Sequence, residues 1–330
     1  LKAKMAYGSG IDLLFGAMAR SAGYDARMAL SGDRSEQIFN RQIANVALML
    51  NSSSIAVKVG SEWKFFSPAS EFAPFGMLTW HEEGQAALIT DPKELIWQVI
   101  PMSESTKSVE KRTGTFKLLP DGTLVGEGRI EYSGHDGEEQ KRWHREDTLQ
   151  VRESEFRDLL KKMILGNIEF DSLTVENAKD VSKNLAVSFK IRVPGYAATT
   201  GKRIFLQPNV FERSSKPRFT ATNRKYDVYF SYPFAEQDDI TIQLPDGYAL
   251  ESPDAPAPLR DPQGISSHET EIRVTADKKT IIYKRKFSFG NGGFVRFPVA
   301  AYDPIKNLFE AFNKADVHQL TLKQNASAAK

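Results

Sequence analysis

The amino-acid sequence predicts an α+β protein, in which a mixed helical and strand segment is followed by mostly antiparallel β-sandwich structure. Near the start, apolar residues recur at helical spacing and Gly23 follows them as a C-cap would. From about residue 110, alternating apolar and polar residues dominate, and Pro120-Asp121-Gly122 separates two such runs as in a tight hairpin. The predicted first helix covers residues 11–22, its first turn holds Asp12, and its apolar residues are Ile11, Leu14, Phe15 and Met18.

Further elements follow from the same patterns. A second helix is predicted at 154–165, and a last helix begins with Asp303 as N-cap and Pro304 at its first position. Residues 213–225 carry five basic residues without an acid, which indicates a linker or domain boundary. The predicted strands are 43–50, 55–66 with a turn near Gly60, 96–100, 113–119, 123–132, 168–175, 185–193, 226–232, 240–244, 270–275, 280–289 and 294–299.

The composition excludes several classes of function. The 330 residues include 44 basic and 42 acidic side chains, and this near-balance gives no field that would attract nucleic acid. No window approaches the roughly 18 apolar residues of a membrane-spanning helix. With no cysteine in the sequence, disulfides, thiolate nucleophiles and cysteine-ligated metals are excluded. We therefore predict no nucleic-acid partner, no transmembrane segment and no cofactor.

Three local patterns invite a chemical interpretation, and each has a simpler structural one. The stretch from Gly195 to Arg203 lacks the spacing of a phosphate loop and is better read as a hairpin. No histidine pair has metal-ligand spacing, so no metal site is predicted, although a tight cluster of His135 or His144 with carboxylates would favour a hydrolase. Arg285 alternates with exposed lysines, and we expect it at a sheet edge.

The first eighty residues carry a more specific pattern. The segment from Gly8-Ser9-Gly10 through Ala26-Arg27 resembles the active-site helix of the transglutaminase-like superfamily, where Gly-x-Cys-x-Asp opens the helix. A thiol at a helix N-terminus is activated by the dipole and the free N–H groups. Phe39-Asn40-Arg41 resembles the strand bearing the general-base histidine, and residues 63–68 resemble the strand ending in Asp-Pro. Residues 287–322 resemble the end of secreted bacterial proteins in which such a core is flanked by β domains of unknown function.

The resemblance implies a partial papain-type core whose catalytic triad is degenerate. Gly10 stands at the cysteine position, Arg41 at the histidine position and Ser67 at the aspartate position, so nucleophile, base and orienting charge are all missing. We expect the three to converge within about 10 Å on one cleft, with Arg41 and Ser67 on neighbouring strands. The candidate ligand-binding residues there are Arg41, Asp12 and Trp80.

We thus expect three domains: residues 1–105 as a degenerate transglutaminase-like core lacking its N-terminal part, 106–222 as a β-rich domain with one helix, and 223–330 as a β-sandwich with a terminal helix. Because the chain begins at Leu1, we expect a fragment or processed form. The resemblance implies a periplasmic or extracellular, non-catalytic module that binds an envelope protein, peptide or glycan. A purely structural domain of a larger secreted protein and a residual hydrolase of unknown type remain as alternatives.

Overall fold

A computed structural model describes residues 6–40, 42, 46–164 and 166–325. The helices, in chain order, are α1 (Gly8–Ser21), α2 (Val46–Met49), α3 (Gly134–Trp143), α4 (Leu149–Met163) and α5 (Tyr302–Asp316). The strands are β1 (Ala26–Ser31), β2 (Ser52–Val59), β3 (Glu62–Phe66), β4 (Ala86–Ile89), β5 (Ile96–Val99), β6 (Val109–Leu118), β7 (Leu124–Tyr132), β8 (Glu169–Glu176), β9 (Leu185–Val193), β10 (Ala198–Thr200), β11 (Arg203–Leu206), β12 (Val228–Tyr229), β13 (Phe234–Gln243), β14 (Tyr248–Leu250), β15 (Leu259–Arg260), β16 (Ser266–Val274), β17 (Thr280–Phe289), β18 (Arg296–Phe297) and β19 (Leu320–Gln324). The fold is therefore mostly β with a few helices, as the α+β prediction requires.

The N-terminal part is a five-stranded antiparallel sheet with helix α1 on one face. The strand order is β3-β2-β1-β4-β5. Helix α1 lies against β1 and β2, and a Cβ added at Gly16 would meet the Ile55 side chain at 3.4 Å. The helix buries Asp12 and Gly16, whereas Ile11, Leu14 and Met18 are exposed. The apolar spacing correctly predicted a helix, but most of its stripe is not the packed face.

An eight-stranded sheet forms the larger part of the molecule, in the order β15-β16-β17-β13-β6-β7-β9-β8. The pair β6 and β13 is parallel, with Val109 opposite Ala235, and the other pairs are antiparallel. A four-stranded sheet, β10-β11-β19-β14, contributes Ile204 and Leu322 to the same hydrophobic core. Strands from the predicted segments 106–222 and 223–330 therefore share one sheet and one core.

A second core lies under helix α5 and is built mainly from phenylalanine. Phe309 and Phe312 of α5 pack with Phe230 and Phe289, and the ring centroids of Phe230 and Phe289 are 4.5 Å apart. Burying aromatic rings of this size contributes strongly to stability, and tilted or edge-on ring pairs add to it. Helix α5 is thus fixed on the sheet that contains β17.

The structure corrects several sequence predictions. Residues 46–49 form the short helix α2 where a strand was predicted, and helix α3 was not predicted. Arg285 is not at an edge, because β17 lies between β16 and β13 and the residue is 3% exposed. Helix α5 begins at Tyr302 after Ala301, so Asp303 lies inside its first turn and is not its N-cap. The hairpin predicted between 195 and 203 is present as β10 and β11.

None of the helices in the described part of the chain has the length and apolar composition needed to cross a bilayer.

Candidate functional site

The start of α1 lies against the chain segment that follows β3. Asp12 is 5% exposed, and its Oδ1 accepts a hydrogen bond of 3.0 Å from the backbone N–H of Ala69. Burial raises the pKa of Asp12, and this hydrogen bond only partly opposes the effect. Gly10 is in the first turn of the helix, and its own N–H donates to the Tyr7 carbonyl at 2.8 Å. The start of α1 and the segment that follows Ser67 are thus neighbours.

Arg41 lies outside the described residues, and the convergence of all three positions stays a prediction. The strand that pairs with β3 is β2, which begins at Ser52, eleven positions after Arg41. The described residues around Arg41 belong to a turn and to helix α2, not to a strand beside β3.

The buried carboxylate of Glu82 accepts hydrogen bonds from the hydroxyl groups of Ser52, Ser67 and Thr79. The Ser67 Oγ donates to both carboxylate oxygens at 3.1 Å, and the Ser52 Oγ donates to Oε1 at 3.1 Å. The Thr79 Oγ1 donates at 2.7 Å to Oε2, and its backbone N–H lies 3.3 Å from the same oxygen. Glu82 is 3% exposed. The hydroxyls at the ends of β2 and β3 are therefore committed as donors to one carboxylate.

Sequence reasoning missed Glu82 and Ser52, although one signal pointed to Ser52. The predicted turn near Gly60 makes β2 and β3 an antiparallel hairpin, and the observed register places Ile55 opposite Phe66. Continued by one residue, this register sets Ser54 opposite Ser67, so the start of β2 must lie beside Ser67. Glu82 has no comparable signal, because a long loop carries it to the site.

Glu83, next to Glu82, joins the N-terminal part to helix α3. Its Oε2 is 3.0 Å from the Nε2 of His135 and accepts a 2.7 Å hydrogen bond from the backbone N–H of Ser103. Glu83 is 2% and His135 is 1% exposed. Burial alone would raise the pKa of Glu83, but the hydrogen bonds from His135 and Ser103 together hold it below its usual value.

Trp80 also lies at this junction and not free in a cleft. Its Nε1 donates to Glu139 Oε1 at 2.8 Å, and the other oxygen of Glu139 accepts from the Tyr232 hydroxyl at 3.0 Å. The Arg34 guanidinium lies 5.6 Å from the Trp80 ring centroid and 5.8 Å from that of Tyr229. Of the predicted ligand-binding residues, Asp12 and Trp80 therefore both have partners within the chain.

Beside the junction is a cavity of about 280 Å³. Its lining combines carboxylates with aromatic rings, and burial raises the pKa of Glu110 to about 8 and of Asp136 to about 7. The residues that line it include Glu110, Asp136, Glu139, Glu236, Tyr229, Phe230, Tyr232 and Arg218.

A buried ionic network crosses the centre of the large sheet. Arg112 binds Asp238 through Nε at 2.6 Å and through Nη2 at 2.9 Å. Arg285 binds Asp316 at 2.5 and 2.9 Å and Glu236 at 2.7 Å. Both arginines are almost fully buried, and burial alone would lower the pKa of each guanidinium group. The surrounding carboxylates outweigh this effect and keep both groups charged.

Two histidines flagged by sequence contact carboxylates in different ways. His135 meets the single carboxylate of Glu83. His144 meets two, with its Nδ1 at 2.8 Å from Asp147 Oδ2 and 3.4 Å from Glu155 Oε2. The three ligand atoms of this His144 cluster all lie within 4.8 Å of one another. No sequence spacing signalled it, because Glu155 comes from a different helix.

Comparison with known proteins adds one domain assignment. A family model for a domain of unknown function, DUF3858, matches residues 202–322, from β11 to β19. No curated protein matches the chain. A solved structure from Parabacteroides distasonis, described as a "putative protease", is 11% identical with a TM-score of 0.44, and the match covers 94% of this chain and 43% of that one. The chain thus contains a domain of unknown function in its C-terminal part, and it spans less than half the length of that protein.

Proposed function

We propose that this chain is a non-catalytic binding or scaffold module of the bacterial cell envelope, built partly on a transglutaminase-like core. The observation that carries the proposal is the hydrogen-bonded cluster around Glu82. Gly10 offers no nucleophile, and the Ser67 hydroxyl donates to Glu82 and orients no base. A cysteine-type mechanism needs a thiol, a base that activates it and a group that orients the base.

In this proposal, the N-terminal part acts as a brace for the β-rich part. Glu82 holds the ends of β2 and β3, and the adjacent Glu83 holds His135 of α3. The two carboxylates therefore anchor one loop to both parts of the molecule. Removing a charged acceptor that is buried leaves its donors unsatisfied, which costs more than the net worth of the bonds.

The Glu83→Gln variant tests the brace. We expect it to lower the free energy of unfolding by about 1–3 kcal/mol, because Ser103 and His135 lose a charged acceptor. The matched control is Glu94→Gln, which makes the same change at an exposed position and is expected to cost almost nothing. The free energy of unfolding of both variants is measured by urea unfolding, monitored by circular dichroism. Equal stability of the two variants would refute a bracing role for this contact.

A binding role is supported by the cavity beside the junction. Carboxylates and aromatic rings in one concave site suit the hydroxyls of a sugar or the basic groups of a peptide. An envelope peptide or glycan is therefore the ligand class that we propose. Nuclear magnetic resonance titration with cell-wall fragments and basic peptides tests this, and shifts confined to surface residues away from Tyr232 would count against the cavity.

The envelope location rests on the resemblance to secreted bacterial proteins. We expect the native full-length protein to be exported to the periplasm or beyond. Cell fractionation with an antibody against this chain measures it directly. Recovery in the cytoplasmic fraction alone would overturn this part of the proposal.

One observation favours a second candidate function, hydrolysis at a bound metal ion. It is the contact of His144 with two carboxylates. A panel of chromogenic ester, phosphate and peptide substrates, assayed with and without added Zn²⁺, would separate this candidate from the scaffold proposal.

A further inference from the structure

We propose that His144, Asp147 and Glu155 form a binding site for a divalent transition-metal ion, with Zn²⁺ as the ion of choice. The inference concerns ion binding alone and holds whether or not the scaffold proposal is correct. It begins from the position of the three residues. His144 is the C-cap of α3, Asp147 lies in the short connection that follows, and Glu155 is in the second turn of α4.

The separations between the ligand atoms suit one ion. Zinc binds histidine nitrogen and carboxylate oxygen at about 2.0–2.2 Å, so two ligands at angles of about 90–110° lie about 2.8–3.6 Å apart. The observed separations from His144 Nδ1 are 2.8 Å to Asp147 and 3.4 Å to Glu155. Both separations that involve the imidazole nitrogen therefore match those around one ion, and all three ligand atoms lie within 4.8 Å of one another.

The imidazole is held in place by its surroundings. The residue is 5% exposed, and its ring packs on Phe156 with centroids 5.1 Å apart. The backbone N–H of His144 donates to Gln140, and the Arg152 guanidinium donates to the carbonyls of His144 and Asp147. The nitrogen ligand is thus preorganised, which lowers the entropy cost of binding an ion.

The charge of the site also favours a cation. Two carboxylates face one imidazole, and the ion would lie at the C-terminal end of α3, where the helix dipole is negative. Arg152 is a cation at this connection, but its Nη2 donates to the two carbonyl groups. Among divalent ions, a nitrogen ligand with two carboxylates suits zinc and its neighbours better than calcium or magnesium.

The site is open on one side. The carboxylate side chains of Asp147 and Glu155 are 27% and 49% exposed, and the cluster borders a groove of about 1050 Å³. Three protein ligands leave at least one coordination position for water or for a donor group of a bound molecule. A bound ion would also link the end of α3 to α4.

The test uses the full chain without a histidine tag, stripped with a chelator. Calorimetric titration with Zn²⁺ is expected to show one saturable site, and Co²⁺ is expected to give visible ligand-field absorption. Glu155→Gln and Asp147→Asn should each weaken binding at least about tenfold. Glu146→Gln is the control, since its carboxylate is a close neighbour but 91% exposed and outside the cluster.

The carboxylate variants keep the buried imidazole, and circular dichroism checks that each one folds. Binding that is saturable, lost in the two cluster variants and kept in the control would support the site. Either absence of saturable binding to the parent chain or equal affinity of all four proteins would overturn it.

Discussion

The replacement of Arg285 by methionine tests the buried network most sharply. Arg285 is 3% exposed and donates to three carboxylates, of which Asp316 receives two hydrogen bonds. In the variant, Glu236 and Asp238 keep Arg112 as a partner, but Asp316 keeps only the 2.8 Å contact with His268. Breaking a buried pair by removing one partner costs about 3–5 kcal/mol, and we expect a loss within this range.

Lys284→Met is the matched control, because it makes a similar change one residue away on the opposite face of β17. The Lys284 side chain is 50% exposed and lies 3.3 Å from Asp239, a contact worth about 0–1 kcal/mol. Urea unfolding of both variants, followed by tryptophan fluorescence, measures the difference. If Arg285→Met costs no more than Lys284→Met, the buried network does not stabilise the fold.

Two further predictions concern pH and a turn. Because Glu110 and Asp136 have raised pKa values, of about 8 and 7, the folded protein holds protons that the unfolded chain releases, so stability should fall as pH rises from about 5 to 8. Glu110→Gln should flatten that decline in urea unfolding measured across the range, and an unchanged slope would contradict it. Gly122→Ala should cost at least about 2 kcal/mol more than Gly60→Ala, since both have positive φ but only the former would place Cβ 2.1 Å from the Ala197 carbonyl oxygen. Equal thermal denaturation of the two glycine variants would refute that explanation.

Periodic elements were predictable because their side chains meet water on one face and the core on the other. The hairpin of β6 and β7 around Pro120-Asp121-Gly122 appears where alternation and turn chemistry place it. Helix α3 was missed because its sequence is almost entirely polar. Its buried Lys141 is satisfied by the carbonyl of Asp180, 39 positions away. Such pairing is invisible in a local window.

The residues of the candidate site also divide into those that a sequence pattern indicates and those that only the fold reveals. The motif resemblance predicted that the start of α1 and Ser67 lie close together, and the convergence with Arg41 stays a prediction. Glu82 and Glu83 were not predicted, because acidic residues in a loop normally face solvent, and only the fold reveals that these are buried. The edge position predicted for Arg285 was wrong for a related reason. The sequence pattern of an alternating strand with charged residues is the same whether the charge is exposed or is compensated by carboxylates from distant strands.

The absence of transglutaminase-type catalysis is the central claim, and one assay tests it most directly. Incorporation of a labelled amine into a casein-type protein is measured with the purified chain and with a heat-killed sample of the same preparation. No acyl-thioester can form without a thiol, and the sequence has none. We therefore predict equal incorporation in both samples. Incorporation above the heat-killed level, in proportion to the amount of chain added, would contradict the claim.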